Sequence, residues 1–198
     1  MCLGAVAVKI MGIRNPERLR EVLSDPKGLA RAFSRHTYGM LSWVDLFGAK
    51  LKSIKEIEMK LITVRIIADN TKHAKLFSER ARELGESPEK YKPPQIGQKI
   101  YDTLETYNDP LDEFAYSWGS LIHFSALLDI YHSVADPKSR EIIEEVQRDI
   151  REHLTILENY FEKELLTRER QKRAEEIKMI ADKIYTERED EEIKWYAE

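Results

Sequence analysis

The chain is poor in the residues that staple or break a backbone. Among 198 residues there is one cysteine, Cys2, so an internal disulfide is excluded and a reducing, cytoplasmic setting fits. Eight glycines and seven prolines are few for this length, and long stretches contain neither, which points to an all-α protein. A basic excess is missing too: the formal charge of −4 and a pI near 5.9 give no footprint for nucleic acid. The apolar run from Leu3 to Met11 is too short to span a bilayer and has no charged region before it, so neither a membrane span nor a signal peptide is expected. The alternation of Val6, Val8 and Ile10 predicts a short strand or a docked arm, and Cys2 beside it has no base placed next to it by the sequence. No glycine-rich phosphate loop, Ser/His/Asp motif or paired cysteines for zinc can be found.

What is abundant is charge on an apolar background. Asp, Glu, Lys and Arg make up 34% of the chain and apolar residues 42%, a balance that suits solvated helix surfaces around a real core and a thermophilic source. Residues 1–14 read as an N-terminal arm, 15–166 as a helical bundle and 167–198 as a charged C-terminal helix. Asn15 and Pro16 open a short helix that stops near Asp25. Two long helices are predicted over about residues 27–50 and 53–85, then a loop rich in proline over 86–97 and a short helix over about 98–107. Two more long helices follow, from Pro110 to about Val134 and from Pro137, behind Asp136, to at least Glu164. Beyond Leu166, Ala174, Ile177, Ile180, Ala181, Ile184 and Tyr185 keep helical spacing, which predicts a narrow amphipathic helix on the outside of the bundle or against another chain. Two antiparallel helix pairs joined by one long crossover match the ferritin-like four-helix bundle.

One short pattern is written twice. Ile62, Ile66, Asp69, His73 and Leu76 fall at steps of 4, 3, 4 and 3, and Ile142, Val146, Asp149, His153 and Ile156 repeat the steps and the order of residue types. On a helix these steps trace one stripe. Each half therefore puts an Asp and a His, one turn apart, into an oily face that should point inward. Buried ionisable groups need partners, so the two stripes are expected to face each other and share hydrogen bonds or a metal.

Carboxylate and imidazole suit iron, manganese or zinc. Carboxylate-bridged dinuclear sites in such bundles take a Glu from each of two helices and Glu-x-x-His from each of the other two. Here the glutamate positions of that motif hold Asn70 and Ile150, and the acids stand one residue earlier. Asp69 and Asp149 still lie on the histidine face, as ligands, as partners orienting the rings, or as their salt-bridge mates. Asp45 and His123 are the candidates from the remaining two helices, with Asp129 a further acid and Leu121 where a carboxylate would complete the set. The candidate metal site is thus Asp45, Asp69, His73, His123, Asp149 and His153, for an iron or manganese centre in redox or oxygen chemistry, with a metal-free scaffold or interaction subunit as the alternative and a homo-oligomer or partner subunit expected through the helices. His36 and His132 lie on neither stripe and read as partly exposed or helix-end residues. Trp43, Trp118, Tyr116, Phe124 and Tyr131 read as core. Glu141 and Glu145 read as solvent-facing.

The segments DPKSREIIEEVQRDIREHL from Asp136 and IIADNTKHAKLF from Ile66 resemble the ferritin-like subunits of multicomponent phenylacetyl-CoA epoxidase, most of all its structural subunit. The likeness covers about residues 40–165. It implies a ferritin-like fold and, for the catalytic subunit, a glutamate ligand where Asn70 stands. For the structural subunit it implies lost metal ligands and a scaffold role.

Overall fold

The computed structural model describes residues 12–198, and among them every regular element is helical. The elements are α1 (Pro16–Leu23), α2 (Pro26–Lys50), α3 (Ile57–Glu83), a single 3-10 turn (Pro88–Lys90), α4 (Gln95–Glu105), α5 (Pro110–Val134), α6 (Pro137–Glu164) and α7 (Arg168–Ala197). No helix among the described residues is long and apolar enough to cross a membrane.

Local chemistry explains the boundaries. Asp25, Asp109 and Asp136 each precede a proline in the first turn, and their carboxylates accept from the backbone N–H groups of Lys27, Leu111, and Lys138 with Ser139. Thr167 caps α7 through Arg170 N–H. The α3 helix ends at Gly85, whose φ of +90° only glycine adopts without cost, and the N–H of Glu86 closes back on the carbonyl of Ala81. Asn15 makes no side-chain cap on α1; its backbone N–H donates to Glu189 on α7 instead.

The long helices form a closed ring. α2 pairs with α3, α3 with α6, and α6 with α5, each pair antiparallel. Between α5 and α2 stands α7, parallel to α5 and packed on both. The sequence placed this last helix outside the bundle, and that expectation is corrected: Ala174, Ile177, Ala181, Ile184 and Tyr185 join one apolar cluster and Ile193 and Tyr196 the other. Its approach to α5 is close. A Cβ on Gly119 would meet the Lys178 carbonyl oxygen at 2.6 Å, so only glycine lets these backbones lie together. The predicted arm around Val6, Val8 and Ile10, and Cys2, lie outside the described residues.

Candidate functional site

The two repeated stripes do meet. His73 Nε2 lies 2.9 Å from Asp149 Oδ2, and His153 Nε2 lies 2.9 Å from Asp69 Oδ2, so each helix lends its imidazole to the other's carboxylate. The exchange follows from antiparallel packing of two copies of one spacing: the Asp one turn before each His lands opposite the partner's ring. Both rings are buried, and each carboxylate also takes a cation at the outer edge. Arg65 Nε sits 2.6 Å from Asp69, and Lys72 is in direct contact with Asp149 and 3.4 Å from Glu145, the acid read as solvent-facing. Burial raises both Asp carboxyls, but the hydrogen bonds and charges of Arg65 with His153, and of Lys72 with His73, outweigh it and leave them below the usual range. Burial drives His73 the other way, below its ordinary value against the pull of Asp149, so the ring is neutral near pH 7. A neutral ring that donates from Nε2 leaves Nδ1 as a lone pair, and neither His73 Nδ1 nor His153 Nδ1 has a partner among the described residues.

The other predicted site residues stand elsewhere. Asp45 is exposed on α2. His123 is buried, 3.5 Å from Asp182 on α7, with its ring against Tyr185. Asp129 accepts from Gln147 at 2.8 Å. The six candidates therefore resolve into one cluster of four, with Asp45 and His123 apart from it.

A cavity of about 40 Å³ lies inside the ring, beside the exchange. Asn70, Ile150 and Leu121, the three positions where the dinuclear pattern calls for carboxylates, all line it, and no Asp or Glu does. Its one ionised lining residue is Arg35 of α2. His36, next in sequence, was expected to be partly exposed; it is 1% exposed and sits against Phe124 and Phe77. Arg35 Nη1 donates to His36 Nδ1 at 2.6 Å, His36 Nε2 lies 2.9 Å from the Tyr131 hydroxyl, and Tyr131 lies 3.2 Å from the Tyr196 hydroxyl. Burial, then the charge of Arg35, holds His36 well below its ordinary pKa, so it is the neutral tautomer with its proton on Nε2.

Behind Arg35 lies a charged layer that the sequence pattern does not predict. Glu192 Oε1 is shared by Arg35 Nε at 2.6 Å and Arg188 Nε at 2.8 Å. Burial opposes the charge on Arg35, but Glu192 holds its pKa well above the ordinary value. Lys178 lies 3.0 Å above the Trp118 ring and 2.6 Å from Glu175. A signal for this layer was present: Lys178, Asp182, Tyr185, Glu189, Glu192 and Tyr196 step by 4, 3, 4, 3 and 4, a second stripe beside the apolar one. Charged residues at that spacing read as a solvated face, and only the packing on α5 and α2 shows that they are covered.

An imidazole held by a carboxylate at one nitrogen and open at the other is how many metal-ligating histidines are arranged. A metal also needs the remaining donors, three or four in all. Among the described residues no group of three or more His, Cys, Asp or Glu side chains is placed to hold an ion. Both carboxylates of the exchange already take an imidazole and a cation at Oδ2, and the cavity wall supplies an amide and two aliphatic side chains instead of acids. This donor set does not fit a dinuclear centre. No family model, curated protein or solved structure matches the chain.

Proposed function

We propose that this chain is a metal-free, ferritin-like helical bundle that serves as a scaffold or interaction subunit, with the Asp/His exchange acting as a latch between its two halves. The observation that carries the reading is the fate of the donors: both Nε2 atoms are committed to the opposite carboxylate, and the acid positions facing the interior are Asn70, Ile150 and Leu121. A buried polar contact of this kind, an imidazole hydrogen-bonded to a carboxylate, acts on this reading mainly to specify which faces meet.

The surface supports a partner role. Ile57, Leu61 and Val64 of α3 are 77%, 64% and 46% exposed and step by 4 and 3, the spacing of a seam between paired helices. A second copy of the chain, pairing α3 with α3, is the occupant this reading takes. Light scattering is expected to give a dimer for the native chain and a monomer for Leu61→Glu; a native monomer sinks the pairing.

The open Nδ1 atoms of His73 and His153 favour a second reading, a single ion held between the two rings. Elemental analysis of protein purified without chelator separates the two. Less than about half an equivalent of iron or manganese per chain, not raised by anaerobic loading, is expected; stoichiometric metal lost in a His73→Leu, His153→Leu variant refutes the metal-free reading.

A further inference from the structure

The interior cavity holds polar groups with nothing to bind. Asn70 is 6% exposed as a residue and its side chain makes no hydrogen bond among the described residues; Tyr101, also 6% exposed, makes none through its hydroxyl. Both line the cavity. Arg35 spends Nε on Glu192 and Nη1 on His36, which leaves the two N–H groups of Nη2 unused among the described residues. These polar atoms face the cavity space, where a ligand or water can reach them. Gly39 makes the arrangement possible, since a Cβ there would stand 3.0 Å from the Tyr101 hydroxyl.

The charge is also unbalanced at this point. Glu192 answers two guanidinium groups with one carboxylate, so the Arg35–Glu192–Arg188 group carries an excess positive charge, and no acid lines the cavity on the other side. Most of the rest of the wall is apolar, with Met40, Trp43, Ile66, Phe124 and Ile150 among its residues, while the Ser117 and Ser120 hydroxyls on it donate to backbone carbonyls of their own helix. Size narrows the choice further. One water needs about 10–15 Å³ on this measure, so a cavity of about 40 Å³ takes about three waters or an organic molecule of roughly four to six non-hydrogen atoms.

We propose that this cavity is a binding site for a short-chain monocarboxylate, with the carboxylate accepting from Arg35 Nη2, the Asn70 amide and the Tyr101 hydroxyl and the hydrocarbon tail lying against Trp43 and Phe124. Each of the three groups can donate, and a carboxylate accepts at both oxygens, so one ligand can take a hydrogen bond from each. An amine of the same size meets a cation and no acceptor charge. The cavity is partly open to its surroundings, so a small ligand can enter it. The inference does not rest on the scaffold reading, since neither the latch nor the α3 surface contributes a donor to it.

The test uses the full chain and sodium butyrate, acetate, butylamine and chloride at matched ionic strength. Calorimetric titration is expected to give a 1:1 complex with butyrate, with a Kd on the order of 1 mM or tighter, weaker binding of acetate and none of butylamine. At about 10 mM, butyrate should raise the unfolding midpoint by about 3–6 °C over chloride. Asn70→Leu, close to the native residue in shape, should weaken butyrate about tenfold or more, and Tyr101→Phe, which removes one atom, by about three- to tenfold. Butyrate indistinguishable from chloride would mean that the cavity holds water alone and would overturn the proposal. Equal binding of butylamine, or unchanged affinity in both variants, would overturn it as well.

Discussion

The Asp/His exchange between α3 and α6 should show a large energetic coupling in a double-mutant cycle. Asp149→Leu removes the acceptor of His73, a ring that is fully buried, and leaves its Nε2–H without a partner. An unpaired buried donor costs about 1–3 kcal/mol, and the lost bond to a charged acceptor brings the expected total to about 2–4 kcal/mol. Lys72 adds little to this, because its side chain is 38% exposed and Glu145 stands 3.4 Å away. His73→Leu costs less, about 1–3 kcal/mol, since Asp149 keeps Lys72 as a partner. The double variant has no orphaned polar group and replaces a buried pair with apolar volume, for a net cost of about 0–2 kcal/mol. The two single losses therefore exceed the double loss, and the coupling should be about 3–5 kcal/mol. Urea unfolding of the four proteins at one pH measures it, and the Asp69/His153 pair should give a matching value because its geometry is the same. Additivity within about 0.5 kcal/mol would mean that the rings and carboxylates do not bond across the interface, and the latch would be refuted.

Acid should weaken the protein before its carboxylates titrate. His36 and His73 both sit below their ordinary pKa through burial, so the unfolded chain binds more protons than the folded one as pH falls below about 6.5. Stability present above that pH is then lost with a slope of up to about 3 kcal/mol per pH unit for two protons; thermal midpoints from pH 7.5 to 5 measure it, a flat profile contradicts it, and His73→Leu should shallow it. Asp69 and Asp149, held low by their partners, extend the loss below about pH 4 in the same direction. Gly119→Ala should destabilise by about 1–3 kcal/mol, because the new methyl meets Lys178 backbone atoms that cannot move alone; an unchanged thermal midpoint would mean that α5 and α7 do not approach so closely. A chain ending at Leu166 should lose cooperative unfolding and its near-ultraviolet circular dichroism, because α7 supplies part of both apolar clusters; a sharp transition in that chain would return α7 to the surface.

The helices were legible because their signals are local. Asp-Pro pairs at Asp25, Asp109 and Asp136, Gly85 after α3 and the prolines of the 86–97 loop act within a turn of their own position, so no distant contact is needed to read them. The exchange was partly legible as well. A stripe of 4 and 3 steps repeated with the same residue types can satisfy itself only by meeting its copy, and that is where His73 and His153 found their carboxylates. Asp45 and His123 were assigned from spacing along neighbouring helices, which does not fix how far one helix is rotated about its axis, and rotation decides which face looks inward.

By itself, then, the order of residues determined where each rod begins and ends and which acid and imidazole share a face. It could not decide what lies opposite a face. A helix densely charged at helical spacing is stable in water or under another helix, provided each charge finds a partner, and the partners of Glu192 and Lys178 come from α2, α5 and α7 itself. Packing alone turned α7 into a wall, drew Arg35 and His36 into the interior and left the cavity beside Asn70, because burial is a property of the space between segments and no single segment encodes it.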